Sequence, residues 1–279
     1  MKSVVAGMMA GFLACVPLAP AWALPRVASL NLCTDQLLLL LAEPGQIVGI
    51  TPLARDCWSA VLCEQARQAP VLRPTAESIV ASHPDVVLGG IYTAAVAMQA
   101  GREGGAQVVA LPPAKSLTDI PVQIMTVANA IGVPERGQQL AMAFATRLAS
   151  LSVEPGSTDP TAAVYAANGF VTHKGSLPDD VLAHAGFRNY ATIMGHQSSS
   201  RFSMELLIAR PPDLLILDRS GKGTSLAQSM LDHPALKQAF AGPHHLDLPA
   251  RLWLCGLPQT LDSVVMLRNA RHNLEMSAP

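Results

Sequence analysis

The chain has 279 residues, of which 50% are hydrophobic and only 14% charged, enough apolar material for two sizeable cores and too much for a disordered chain. Its 19 Lys+Arg against 20 Asp+Glu give a formal net charge of -1 with no basic run, which excludes nucleic acid and an anionic membrane surface as partners.

Residues 1–23 have the three-part layout of a secretory signal peptide: Lys2, an apolar stretch from Val4 to Val16, and small residues around Ala21-Trp22-Ala23. The apolar stretch is shorter than the roughly 20 residues that span hydrocarbon. Leu13-Ala14-Cys15 loosely matches a lipid-attachment box, but an apolar segment follows where a polar tether is needed, so soluble export to the periplasm is expected.

Beyond it, the pattern predicts a strand at 26–31 and a Leu-rich helix capped by Thr34 or Asp35. A strand at 46–51 and helices at 58–67 and 76–82 follow, then a strand at 85–89, a helix at 93–103 and a strand at 107–111. A helix over 118–131 precedes Gly132-Val-Pro134, and a long helix then runs to about Ser150. After the loop 155–160 the rhythm restarts, with a strand at 161–167, helices at 178–185 and 204–209, strands at 213–218 and 245–248, and a helix at 258–274. The βα alternation predicts an α/β protein of two Rossmann-like lobes with mainly parallel sheets, joined by a single long helix. The expected division is a lobe at 24–131, a bridging helix at 132–154 and a second lobe at 155–279.

One unit is written twice, 128 residues apart. Thr75-Ala-Glu77 leads through an apolar run to Pro84-Asp85 and an apolar burst ending at Gly90. Ser203-Met-Glu205 leads likewise to Pro212-Asp213 and a burst ending at Asp218. Each reads as a capped helix, a Pro stop and a buried strand. Two such lobes enclose a cleft.

In open α/β sheets ligands bind beyond the carboxyl ends of the strands. The candidates there are Asn31, Arg55, Tyr92, Phe170, Arg219 and Arg251, with His173, Trp58 and Trp253 close by in sequence. Arg grips carboxylate or phosphate, and aromatic rings stack on bulky planar ligands. Cys33, Cys57, Cys63 and Cys255 allow three full pairings. Cys57 and Cys63 are the closest pair. Six residues of continuous helix span about 9 Å, so these two can bridge only if Cys57 lies ahead of the helix.

Catalytic signatures are missing: the sequence has no Gly-x-Ser-x-Gly, no HExxH and no complete P-loop. Gly221-Lys-Gly-Thr-Ser225 lacks the Walker spacing and reads as a turn. His244-His245, adjacent on a strand, would face opposite sides and make a poor metal pair. Asp179-Asp180 suits a helix N-terminus. His173 and His196 read as polar loop residues. No intrinsic cofactor or metal is expected.

The ordered set of segments resembles the periplasmic solute-binding proteins of ABC importers for iron-siderophore and cobalamin-type ligands. It comprises Arg26-Val-Ala-Ser-Leu-Asn-Leu-Cys-Thr-Asp-Gln36, Ile47-Val-Gly-Ile-Thr51, Glu77 with His83-Pro-Asp-Val-Val-Leu88, and Ile131-Gly-Val-Pro134. It continues with Asn168-Gly-Phe170, Glu205 with Pro212-Asp213, and Leu252-Trp-Leu-Cys-Gly256. The resemblance implies a class III architecture, no catalysis, and a cleft holding an iron-siderophore or corrinoid chelate. It also implies Glu77 and Glu205 as the points where a monomer docks onto an ABC permease that works with an ATPase. Heme held through Tyr92 or a His is a further ligand option. The rival class is an exported α/β enzyme, a hydrolase or a thiol redox protein using Cys33 or Cys255, with its site in the same cleft.

Overall fold

The computed structural model describes residues 24–93, 95–151, 153, 156–196, 200–219 and 225–277. Residues 1–23, expected to form a signal peptide, and most of Gly221–Ser225 lie outside the described residues. In the first lobe the order is β1 (Val27–Ser29), α1 (Leu32–Leu41), β2 (Ile47–Gly49), α2 (Cys63–Ala66), α3 (Ala76–Ser82), β3 (Val86–Gly90), α4 (Ala95–Glu103), β4 (Gln107–Leu111) and α5 (Asp119–Ala130). Then α6 (Pro134–Leu151) leads to the second lobe: β5 (Thr161–Ala166), β6 (Phe170–Val171), α7 (Leu177–His184), β7 (Arg188–Asn189), α8 (Tyr190–Ile193), β8 (Ser200–Arg201) and α9 (Met204–Ala209). It ends with β9 (Leu214–Arg219), α10 (Leu226–Ser229), α11 (Pro234–Ala239), β10 (His245–Pro249) and α12 (Thr260–Ser277).

The first sheet is parallel in the order β2-β1-β3-β4. The second repeats it as β7-β5-β9-β10, also parallel. Along the edge of β5 that carries β7, the antiparallel strands β6 and β8 are added. The repeated unit is thus the central helix and strand of each lobe, α3–β3 and α9–β9. Thr75 and Ser203 cap the two helices by accepting from Ser78 N and Leu206 N. The Pro-Asp has the same task twice. Asp85 Oδ2 accepts from Arg26 N at 2.7 Å and Asp213 Oδ2 from Thr161 N at 2.6 Å. Each carboxylate ties the start of the neighbouring strand, β1 or β5, to its own.

Three local expectations are corrected. Asn31, not Thr34 or Asp35, caps α1, its side chain accepting from Cys33 N. Of 58–67 only Cys63–Ala66 is helical, because a Cys57–Cys63 disulfide holds those Cα atoms 5.1 Å apart, well under the helical spacing. His244 sits in a 3-10 turn ahead of β10 and is fixed by Asp213 O.

The lobes are not separate bodies. One apolar cluster contains Val27, Leu37, Leu38 and Ile124 of the first lobe and Val164, Leu214, Ile216, Leu248, Trp253, Leu261, Val264 and Leu267 of the second. Gly137 lets α6 lie against α5, since a Cβ there would stand 2.3 Å from Ala128 Cβ. Arg136 donates to Leu41 O and Ala42 O at one end of α6, and Arg147 pairs with Asp262 of α12 at 2.7 Å near the other. A second disulfide, Cys33–Cys255, joins the N-terminal turn of α1 to the loop before α12 across 222 residues.

In the chain-entropy picture, closing a loop of 222 residues contributes about 5 kcal/mol against about 2 for the six-residue Cys57–Cys63 loop. The Cys33→Ala/Cys255→Ala variant is therefore expected to lose more stability in urea unfolding than Cys57→Ala/Cys63→Ala. The reverse order would mean the long bridge adds little to a core that already joins the lobes.

Candidate functional site

The carboxyl ends of both parallel sheets open on the junction between the lobes. One cavity of about 190 Å³ is lined from the first lobe by Asn31, Thr34, Gly90, Tyr92, Pro112 and Gln123, and from the second by Leu254, Cys255 and Gly256. A second, of about 410 Å³, lies between Pro113-Ala114-Lys115 and His173, Ser176, Asp218 and Trp253. Pro113, Ala114 and Leu254 line both, so the two are contiguous. A more open hollow of about 630 Å³ adjoins Asn31 through Thr51, Leu53, Asp56 and Pro74. The lobes meet closely here: a Cβ on Gly256 would lie 2.6 Å from Ala114 Cβ.

The candidates at strand ends divide into two groups. Asn31, Tyr92, His173 and Trp253 line the cleft. Tyr92 is 85% exposed, whereas Trp253 is 3% exposed in the cleft wall. The other five line none of these cavities. Arg55 donates to Ala66 O and Ala69 O and closes the end of α2. Arg219 pairs with Asp247 and Asp232. Arg251 donates to Cys57 O across the lobe junction. Phe170 lies 4.4 Å from the Arg201 guanidinium, and Trp58 is half-buried beside the Cys57–Cys63 turn. Among the described residues lining the three cavities there is no arginine.

Sequence reasoning missed Gln123, which reaches the cleft from α5 with Nε2 on Pro112 O, and the Pro112–Lys115 segment after β4. It also missed Asp218, near the end of β9. Burial pushes this carboxyl up to about 6, with the Trp253 side chain partly offsetting the shift. Asp218 Oδ1 and Trp253 Nε1 are both buried in this part of the wall. Behind the cleft, Asp35 is fully buried. It accepts from Thr51 N and Thr51 Oγ1 through Oδ2, and Oδ1 is unpaired. Burial pushes its carboxyl up to about 7, against hydrogen bonds from Ser29 and Thr51 that lower it.

Glu77 and Glu205 are exposed in the first turns of α3 and α9. Both carboxyls are held below the usual range, first by backbone N–H of their own residues and then by the capping hydroxyls of Thr75 and Ser203.

A family model described as periplasmic binding protein matches residues 27–245. The chain belongs to the periplasmic binding protein family. Its class III fold is shared with solved structures. The periplasmic heme-binding protein RhuT from Roseiflexus sp. RS-1 superposes with a TM-score of 0.72 at 22% identity, covering 88% of this chain and 98% of that one. The vitamin B12 binding protein BtuF of Vibrio cholerae gives 0.66 at 17% identity, covering 90% and 98%. A protein of an ABC-type Fe3+-hydroxamate transport system from Saccharomonospora viridis gives 0.63 at 20%, covering 88% and 92%. Curated protein sequences return no significant match. The family is one of binding proteins, not enzymes, which sets aside the hydrolase and thiol-redox reading. Cys33 and Cys255, the thiols that reading required, are bonded to each other. Cys57, Cys63 and Glu64 bring their ligand atoms within 4.8 Å, but both sulfurs are held in the second disulfide. No described helix is long and apolar enough to cross a membrane.

The buried carboxyls set a pH dependence. Asp35 rises from 3.8 to about 7 on folding, so between those values the native state holds a proton that the unfolded chain has released. Stability therefore falls as pH rises through this window and levels off above it. Asp35→Asn is expected to flatten the fall in urea midpoint between about pH 4 and 7. An unchanged slope would assign the titration to other groups, Asp218 first.

Proposed function

We propose that the chain is the periplasmic solute-binding component of an ABC importer, and that its inter-lobe cleft captures a bulky metal chelate of low net charge, a corrinoid or a ferric hydroxamate. The observation that carries this reading is the cleft lining: apolar side chains, prolines, amides and hydroxyls, with the carboxyls of Asp56 and Asp218, His173, Lys115 as the one lysine, and no arginine among the described lining residues. A polyanionic catecholate would need several cations there, and Arg55, Arg219 and Arg251 are engaged elsewhere. Vitamin B12 and Fe3+-hydroxamate transport among the proteins of similar fold support the same ligand class. Heme is the second reading. It is favoured by the several heme-binding proteins of similar fold and by Tyr92, which offers an exposed phenol on the cleft wall.

The test is a titration of the purified protein with cyanocobalamin, a ferric trihydroxamate and hemin, following indole fluorescence. Saturable quenching by either of the first two is expected. A Soret shift with hemin that Tyr92→Ala abolishes would replace the reading with heme, and no response to any chelate would overturn it.

Delivery is proposed to run through Glu77 and Glu205 to cationic residues of the permease, one per lobe, with the protein acting as a monomer. Their equivalent placement in the repeated unit and their exposure support this. Glu77→Ala/Glu205→Ala is expected to keep ligand affinity and to lose uptake in cells carrying the cognate permease and ATPase. Normal uptake by the double variant would remove the docking role.

A further inference from the structure

The two copies of the repeated helix agree better on their exposed face than on their half-buried one. Residues 75–81 and 203–209 are buried, half-buried or exposed in the same order at every position. The buried position holds Ile79 or Leu207. The half-buried positions differ, with Ala76 and Ser78 in one copy standing where Met204 and Leu206 stand in the other. The exposed positions match: Glu77 with Glu205, Val80 with Ile208, and Ala81 with Ala209. Helices kept only for packing would agree where they touch the core and diverge where they meet water.

Residues at i, i+3 and i+4 share one helix face. Each lobe therefore presents a carboxylate followed, one turn later, by a branched aliphatic side chain and an alanine. Val80 is 55% exposed and Ile208 37%. Neither residue type is favoured there by the helix itself, because β-branched side chains lose χ1 freedom against the preceding turn. A single exposed aliphatic residue is ordinary, but these two recur at one place beside equivalent glutamates. Among the described residues neither carboxylate is paired with a lysine or arginine. Each strip thus lies beside an acid free to take a cation from outside.

We propose that the strips Val80-Ala81 and Ile208-Ala209 are the apolar part of the surface that docks on the permease, each seating in a shallow apolar socket beside the cation that meets Glu77 or Glu205. Ion pairs between exposed side chains contribute little and are screened by salt. An aliphatic strip seated next to such a pair excludes water from it and adds burial that salt does not screen. The carboxyl ends of both sheets face one junction, so the two copies are related by a rotation and the socket occurs twice on the partner, once for each lobe. The inference rests on the docking role proposed for Glu77 and Glu205 and extends it from two charges to two patches.

The test measures the affinity of the whole protein for the cognate permease and ATPase in lipid nanodiscs, at low and at high salt. Val80→Thr/Ile208→Thr keeps β-branching and puts a hydroxyl on each strip. It is expected to weaken binding roughly tenfold at both salt concentrations, with the two single substitutions contributing alike. Val80→Ile/Ile208→Val, which exchanges the two side chains, should bind as the wild type does. So should Val122→Ser, which changes an equally exposed aliphatic residue on α5. Chelate affinity and far-UV spectra should be unchanged throughout, since every substituted side chain is exposed. Wild-type affinity in the Thr pair overturns the strips. So does a wild-type dimer in solution that the Thr pair abolishes, which would assign them to a second copy of this chain. Glu77→Gln/Glu205→Gln separates this from the broader reading. Weak binding by the Gln pair with normal binding by the Thr pair sinks the strips alone, whereas the opposite result sinks the glutamate docking alone. No binding by the wild type overturns both.

Discussion

The two lobes are packed through one continuous apolar core, and the remaining features of the cleft depend on that. Side chains from β1, α1 and α5 belong to the same cluster as those from β5, β9, β10 and α12. Lobes joined only by a linker move as independent bodies. Here relative motion would open a packed interior, which costs both apolar burial and close contact. Helix α6 adds to this at both ends, through Arg136 to the carbonyls that finish α1 and through Arg147 to α12.

A cleft fixed in this way is formed before a ligand arrives. Association then escapes much of the ordering cost that a hinged receptor meets. The same rigidity lets polar groups persist in environments they would otherwise leave. Asp35 remains in the interior with one oxygen unpaired. A looser scaffold would relax around such atoms or admit water to them.

The repeat was legible because every part of it is local. A hydroxyl caps, a Glu follows in the first turn, Pro stops the helix, and an apolar burst makes the strand. The duplicated Asp also has a long-range task, holding Arg26 N in one lobe and Thr161 N in the other, which no spacing rule reveals. Where long-range partners decide, the sequence was mute. Arg55 and Arg219 sit where strands end, yet the carbonyls of Ala66 and Ala69 and the carboxylates of Asp232 and Asp247 claim them. The turn at 58–62 has helical composition, but a disulfide overrides it. Strands β6 and β8 have two residues each, too short for a period to register. The one sequence-level clue to Asp218 was that it occupies the place Gly90 holds in the other copy.

The Cys33–Cys255 bond has a consequence in time. Among the described residues, its partners lie at the first helix and just before the last one. During synthesis, Cys33 emerges more than two hundred residues ahead of its mate, and it must stay unpaired, without taking Cys57 or Cys63 instead, until Cys255 reaches an oxidising environment with it. Closure of the interlobe bridge is therefore a late event, and an early oxidant would trap the first lobe with a mismatched thiol. The bond that seals the lobe junction thus depends on a residue made long after the first lobe is complete.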